Sequence, residues 1–173
     1  MLKMDMKAVT ITTDGACIGN PGPGGWACIL RFGTVAREMF GSEPRSTNNR
    51  MELTAAIEAL MALKEPCKIT LYTDSEYVKR GVTEWLDGWK ARGWTRRERG
   101  KTKVVLNQDL WVTLDQLTQP HQISWTWVRG HATHADNIRC DELAQNAARQ
   151  QIASRGVTAR LKTHANPLPA TRN

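Results

Sequence analysis

Long apolar runs are absent from this 173-residue sequence, whose longest are the five-residue stretches 26–30 and 59–63. A membrane-spanning helix requires about 20 consecutive apolar residues, so no span is predicted. The first seven residues, MLKMDMK, also lack the apolar centre of a secretory signal. We therefore expect a soluble cytoplasmic protein without a membrane partner.

Closely spaced cysteines are lacking too. The four cysteines stand at positions 17, 28, 67 and 140, and no two of them form a CxxC motif. The spacing indicates neither a disulfide framework nor a zinc ribbon, and reduced thiols are expected. The length suits one domain, which we place at residues 1–150. Residues 151–173 contain few apolar residues and no acid, and we expect them to form a disordered basic tail.

Acidic residues are scarce in two segments of the chain. The whole sequence has 24 basic and 17 acidic residues, a net charge of +7. Residues 79–103 contain nine basic and three acidic side chains, and residues 149–173 contain five basic side chains and no acid. The rest of the chain has a net charge of −4. Concentrated positive charge on a slightly acidic body predicts a polyanionic partner, for which nucleic acid is the first candidate.

The order of the predicted elements indicates an α/β fold. Strands are predicted at residues 8–14, 26–32, 35–40, 69–73 and 123–128, and helices from 46–47 to near 66, at 75–86, at 106–117 and at 136–149. The first three strands form an antiparallel meander, and helices alternate with strands after it. This order predicts a mixed sheet. Residues 87–105 are rich in Trp, Gly and basic side chains and show no periodic core face.

Two aspartates follow β-branched runs, Asp14 after residues 8–13 and Asp74 after residues 69–73. If these two strands are parallel neighbours, both carboxylates emerge at the carboxyl edge of the sheet. Open α/β sheets bind their ligands at that edge.

Several motifs occur in a fixed order along the chain. They are Thr13-Asp14-Gly15, NNRMEL at 48–53, Thr73-Asp74-Ser75, and GHATH at 130–134 with CDELA at 140–144. Together they resemble type I ribonuclease H, from about residue 7 to 150, and most of all the free-standing bacterial enzymes. The loop GNPGPGG at 19–25 and the Trp-rich basic segment are part of the resemblance.

The resemblance implies a ribonuclease H-like fold, a five-stranded mixed sheet with helices on both faces. It also implies a monomeric endonuclease that cleaves the RNA strand of RNA–DNA hybrids and leaves 5′-phosphate and 3′-hydroxyl ends. Four carboxylates, Asp14, Glu52, Asp74 and Asp141, would hold two Mg²⁺ ions, with Asp14 between them and Mn²⁺ as a possible substitute. Oxygen ligands suit these hard ions, and two ions can activate water and stabilise the leaving oxygen.

His131 resembles the family's mobile histidine near the scissile phosphate, where an imidazole can transfer a proton or assist product release. A zinc site formed by His131, His134 and Cys140 is the alternative. The spacing of these three residues matches no common zinc pattern and no fourth ligand is evident.

Further residues correspond by resemblance to the substrate-binding surface. Those on the RNA side, where 2′-hydroxyls distinguish RNA from DNA, are Cys17 (through its backbone), Asn20, Asn48, Asn49 and Glu76. Relatives often have an amide where Glu76 stands.

Arg45, Thr47 and Asn107 resemble a pocket for a phosphate of the DNA strand. Residues 85–103 resemble a basic protrusion, with Trp85 on the binding surface; at least one of Trp85, Trp89 and Trp94 is expected to belong to the core.

Each acid alone has an ordinary explanation: an Asp-Gly turn, an Asp before a helix cap, or a glutamate at a helix start. The ordered motifs favour catalysis. Two alternatives stay open, a hybrid-binding protein without catalysis and a nuclease of the same fold, such as an integrase or transposase. The four carboxylates argue against the first, and the single-domain length and the asparagines against the second.

Overall fold

A five-stranded mixed sheet forms the centre of the molecule in the computed structural model, which describes residues 5–129 and 133–163. Its strands are β1 (Lys7–Cys17), β2 (Gly22–Phe32), β3 (Val35–Ser46), β4 (Cys67–Thr73) and β7 (Gln122–Trp127), in the order β3-β2-β1-β4-β7. The first three strands pair antiparallel, whereas β1, β4 and β7 pair parallel. The predicted meander and mixed sheet are confirmed.

The helices lie on both faces of this sheet, as predicted. They are α1 (Asn48–Met61), α2 (Glu76–Arg80), α3 (Leu86–Ala91), α4 (Gln108–Thr118) and α5 (Ala135–Thr163), with a π-helical turn, Gly81–Trp85, between α2 and α3. Along β2, side chains alternate between the two faces. Cys28 and Leu30 join the core formed with α1 and α4, whereas Ala27 and Ile29 pack against α5.

Two helices are longer than predicted. The helical segment that starts at Glu76 continues to Ala91 rather than ending near Leu86. The last helix continues to Thr163, so the prediction that it ends near Arg149 was wrong. Ala, Gln, Arg, Leu and Lys make up eight of the fourteen residues 150–163, and the first proline beyond Arg149 is Pro167. A helix already formed can therefore continue through this stretch despite Gly156. Residues 164–173 of the expected disordered tail lie outside the described residues.

The basic segment contains a hairpin that the sequence did not predict. Strands β5 (Thr95–Glu98) and β6 (Lys101–Val104) pair antiparallel and form a separate two-stranded sheet. Arg99 and Gly100 have positive φ angles of 48° and 75°, which is typical of a two-residue hairpin turn. No helix in the described ranges has both the length and the apolar character that crossing a membrane requires.

Candidate active site

The pairing of β1 with β4 places two of the predicted carboxylates side by side. Thr13 is the register partner of Thr73 in this parallel pair, so Asp14 and Asp74 follow at the same level of the sheet. Glu52, in the first part of α1, reaches the same edge. One carboxylate oxygen from each of Asp14, Glu52 and Asp74 lies within 4.8 Å of the other two. The sequence prediction that these acids converge is confirmed for these three.

A glycine allows α1 to approach β1 this closely. A Cβ atom on Gly15 would lie 2.4 Å from the backbone nitrogen of Glu52, so any side chain there would push the helix away. The backbone N–H of Gly15 donates to Asp14 Oδ1 at 2.9 Å. The Asp14-Gly15 dipeptide therefore fixes one carboxylate and makes room for a second.

Burial makes this cluster electrostatically unfavourable without a counter-charge. Asp14 is 3% exposed and Glu52 is 4% exposed. Burial, together with repulsion from Asp74, raises the pKa of Asp14 to about 8, and burial with the charges of Asp14 and Asp74 raises the pKa of Glu52 as well. Asp14 Oδ2 and Glu52 Oε2 are buried and have no hydrogen-bond partner within the part of the chain that the structure describes. Free carboxylate oxygens at this spacing are the donor set that a hard divalent cation takes, and they fit a divalent metal site.

Asp141 reaches the same cavity from α5 but is held differently. The cavity has a volume of about 380 Å³, and its lining includes all four predicted carboxylates. Both oxygens of Asp141 accept hydrogen bonds from Gln145 Nε2, at 2.9 Å each. Asp141 is not part of the mutually close group of three. Gln145 was not singled out from the sequence, although its spacing of one helical turn from Asp141 was visible there.

The histidines of the predicted site divide between described and undescribed residues. His131 lies outside the described residues. His134 stacks on Tyr72 with ring centroids 4.8 Å apart, and its Nδ1 accepts from the backbone N–H of Asn137. Cys140 is buried, its thiol donates to the carbonyl of Thr12, and burial raises its pKa. Two residues of the alternative zinc site are thus engaged elsewhere, and the one candidate metal group within residues 5–129 and 133–163 is the carboxylate cluster.

Residues predicted to recognise RNA surround the carboxylates. Asn48, Asn49 and the exposed Glu76 line the same cavity, and Asn20 Oδ1 accepts from the backbone N–H of Asn48 at 3.1 Å. Cys17 lines an adjoining groove of about 320 Å³. Its sulfur lies within hydrogen-bond distance of three carbonyl oxygens, those of Gly19, Gly22 and Ser46, to any one of which the thiol can donate. The loop that carries Cys17 and Asn20 is thereby tied to the start of α1.

Arg50, which the sequence analysis missed, contacts two residues of the predicted phosphate pocket. The backbone N–H of Arg50 donates to Thr47 Oγ1, the cap of α1. The Arg50 guanidinium contacts Asn107 Oδ1 at 3.4 Å and forms a two-point ion pair with Asp109. Arg50 therefore connects Thr47 with Asn107, while Arg45 is exposed near the end of β3. The signal for Arg50 was its place inside the NNRMEL motif.

An aromatic surface follows on the helices beyond this pocket. The rings of Trp85 and Trp89 are 5.6 Å apart, and Trp89 packs on the buried Trp111 at 5.3 Å. Trp89 and Trp94 pack against the core, whereas Trp85 lies beside the Arg80 guanidinium, 5.0 Å from its ring centroid. The expectation that at least one of the three tryptophans belongs to the core is confirmed. Trp85 lines a cavity of about 280 Å³ together with Tyr77, Trp89, Arg96, Val105 and Leu106.

Comparisons with known proteins agree with this geometry. A family model described as RNase H matches residues 6–149. The chain is similar to a ribonuclease H of Solibacter usitatus, with 58% identity over 86% of this chain and all of the relative, and to one of Halorhodospira halophila, with 60% identity over 82% and 93% of the two chains. Among solved structures, LC9-RNase H1 is similar at 34% identity and a TM-score of 0.77, over 86% of this chain and 75% of that one. LC11-RNase H1 in complex with an RNA/DNA hybrid shares the fold at 19% identity and a TM-score of 0.64, over 83% and 99%.

Proposed function

The chain belongs to the ribonuclease H family, and on that premise we propose which of its residues carry out the cleavage of RNA in RNA–DNA hybrids. The activity is that of a metal-dependent endonuclease, with 5′-phosphate and 3′-hydroxyl products. The observation that carries the assignment is the group of three carboxylates within 4.8 Å of one another, two of which have a buried oxygen that accepts no hydrogen bond from the described residues. A protein that only binds hybrids has no need of such an unfavourable cluster.

The family and the acidic cluster indicate a divalent metal, and we propose two Mg²⁺ ions, for which Mn²⁺ can substitute. Asp14, Glu52, Asp74 and Asp141 would hold them. When bound, the ions supply an activated water and stabilisation of the leaving 3′ oxygen. The protein contributes the rigid edge of the sheet, where the pairing of Thr13 with Thr73 and the close approach at Gly15 fix the ligands. His131 is proposed to move a proton or to assist product release.

We assign recognition of the RNA strand to the residues around the carboxylates. Asn20, Asn48, Asn49, Glu76 and the backbone of Cys17 are proposed to contact 2′-hydroxyls, which both donate and accept hydrogen bonds. The support is their position, since Asn48, Asn49 and Glu76 line the cavity of the carboxylates. Glu76 can only accept such a bond when ionised.

The DNA strand is assigned to the surface formed by the end of β3 and the amino ends of α1 and α4. Arg45, Thr47 and Asn107 are proposed to hold one phosphate, with Arg50 positioning the latter two. Trp85 offers a half-buried ring for a sugar or base, and the hairpin β5–β6 brings basic side chains that add sequence-independent affinity. We further propose a monomer that acts in the cytoplasm, with residues 1–150 as its catalytic domain.

A cleavage assay on three labelled duplexes tests this function. RNA–DNA, RNA–RNA and DNA–DNA substrates are incubated with the protein in Mg²⁺ and in EDTA. We expect cleavage of the RNA strand of the hybrid alone, and only with the metal. The Asp14→Asn variant should retain hybrid binding and lose cleavage, because the phosphate contacts lie elsewhere. Cleavage of the DNA duplex would favour an integrase-like nuclease, and near-normal turnover by Asp14→Asn would overturn the site.

A further inference from the structure

Asp141 differs from Asp14 and Glu52 in its hydrogen bonding. Asp14 and Glu52 each retain a buried oxygen that accepts no hydrogen bond from the described residues. Both oxygens of Asp141 instead accept from a single donor, Gln145 Nε2. An ion that binds Asp141 must therefore compete with a protein group, whereas an ion that binds the free oxygens of Asp14 and Glu52 need not.

The Gln145 amide nitrogen lies where a cation bound by both oxygens of Asp141 would lie. The nitrogen is 2.9 Å from Oδ1 and 2.9 Å from Oδ2, so it faces the carboxylate as a whole rather than one oxygen. A cation held by both oxygens of a carboxylate occupies this same position. While Gln145 is in place, Asp141 can offer a cation one oxygen from the side but not both.

Arg149 determines which end of the Gln145 amide faces Asp141. An amide side chain has a donor end and an acceptor end, whereas a guanidinium has donors only. Arg149 Nη2 donates to Gln145 Oε1 at 3.0 Å. Reversing the amide would set its oxygen against the carboxylate and its NH₂ against the guanidinium. The three side chains follow one another at intervals of four residues along α5 and line the same groove.

We propose that Gln145 is a positioning residue that occupies the front of Asp141 and weakens the metal position served by this carboxylate, with Arg149 holding the amide in place. The inference rests on the proposed function, because it takes Asp141 as a metal ligand. In this proposal Gln145 acts through its hydrogen bonds to Asp141 and is not itself a metal ligand. Removing its donor should therefore tighten metal binding in the absence of any substrate.

Metal titration of the full chain without substrate tests this proposal. The rise in Tm of EDTA-treated protein is followed as Mg²⁺, and separately Mn²⁺, is added. Gln145→Leu removes the donor and keeps a good helix former; we expect its midpoint metal concentration to fall about fivefold, the size of one net hydrogen bond. Gln150→Leu, the same change at an exposed position of α5, should leave the midpoint unchanged. The Tm values in EDTA show that both variants fold.

Double variants separate the proposed route from general effects on charge or folding. In an Asp141→Asn background, Gln145→Leu should no longer shift the midpoint, because the group on which it acts is gone. Arg149→Met removes a positive charge in either background, but it can release the Gln145 amide only in the wild type. The fall in midpoint metal concentration should therefore be larger in the wild type than in Gln145→Leu. Equal falls would remove Arg149 from the proposal. An unchanged or higher midpoint for Gln145→Leu would overturn the proposal itself. A wild-type chain that binds no metal or cleaves no hybrid would instead overturn the proposed function.

Discussion

Asp14 and Glu52 show what the proposed metal site costs the stability of the protein. Both carboxylates are buried beside Asp74, with two oxygens lacking a hydrogen-bond donor in the described chain. Buried charge without a partner is among the most destabilising arrangements in a protein. The folded, metal-free molecule therefore either bears a repulsion that the unfolded chain does not experience or takes up protons to avoid it. Stability and catalysis make opposite demands on these residues.

Relief of this repulsion should be measurable at Asp74. We expect Asp74→Asn to inactivate the enzyme and to raise the Tm of the metal-free protein by about 2–4 °C, which is about 1 kcal/mol for a domain of this size. Saturating Mg²⁺ should shrink the difference, because the ion stabilises the wild type through its folded site. Thermal unfolding in EDTA and in Mg²⁺ measures both effects. Asp87→Asn, on an exposed face of α3, is the matched control; a variant at Asp74 that melts below the wild type in EDTA would contradict repulsion.

The raised pKa of Asp14 predicts a pH dependence with a definite sign. The unfolded carboxyl releases its proton near pH 4, whereas the folded one keeps it up to about pH 8. Between these values the folded state binds more protons, so the metal-free wild type loses stability as the pH rises. Asp14→Asn cannot ionise at this position and escapes the loss. The Tm advantage of the variant in EDTA should therefore grow from pH 5 to pH 8, and a constant advantage would show that Asp14 is not the titrating group.

The sequence predicted the clustering of the carboxylates better than it predicted the side chains that contact them. Asp14 and Asp74 could be placed because each ends a β-branched run and parallel strands end at one edge. The motif NNRMEL added Glu52. Gln145 and Arg50 were missed because their roles depend on which rotamer faces which neighbour, and i+4 spacing alone fits a solvated helix face equally well. Whether the substrate-binding residues act as proposed stays a prediction.

The elements of the fold followed from hydrophobic spacing wherever one face is buried. Leu53, Ile57 and Leu60 of α1 are buried and follow one another at intervals of four and three residues, the spacing of one helix face. The hairpin β5–β6 was not predicted because all four residues of β6 are exposed. Its sequence therefore shows no alternation of apolar and polar residues. Its turn, Arg99–Gly100, forms through positive φ angles. The end of α5 was misplaced because helix formers continue beyond its buried face, and α1 ends at Met61 rather than near Pro66.

The hairpin should act on substrate affinity rather than on chemistry. Arg96 and Lys103 are paired with Glu98, whereas Arg99 and Lys101 are exposed at the tip. Changing Arg99 and Lys101 to Gln should raise KM more than it lowers kcat. The slope of log K against log salt should become shallower by up to about 0.9 for each phosphate that the hairpin no longer neutralises. Changing Lys64 and Lys68 to Gln, at the amino end of β4, is the matched control; an equal slope in both pairs would show that the hairpin does not touch the hybrid.

Across the whole molecule, charge is divided between an acidic centre and two basic segments. The hairpin region and the C-terminal region carry most of the positive charge, while the rest of the chain is net negative. A hybrid can thus be attracted by remote side chains although its scissile phosphate must approach carboxylates. Long-range attraction of this kind weakens as salt is added.

Truncation of the C-terminal residues tests whether they contribute to hybrid affinity, to stability or to both. Within α5, Gln151 Nε2 donates to Ser42 Oγ on β3 at 3.0 Å, and this contact precedes residue 156. Deleting residues 156–173 should leave Tm and kcat nearly unchanged and remove three basic side chains. A modest loss of hybrid affinity is expected at low salt and none at high salt. Thermal unfolding and binding at two salt concentrations test this, and a fall in Tm of more than a few degrees would show that the deleted part packs on the domain.

The carboxylate residues are far apart in the chain, at positions 14, 52, 74 and 141, and the last of them is on the final helix. A ribosome makes the sheet edge and α1 well before it makes α5. On the proposed assignment, the growing polypeptide holds three of its four ligands for much of its synthesis and cannot complete the centre. Cleavage activity therefore cannot appear before α5 has been synthesised and has packed on the sheet.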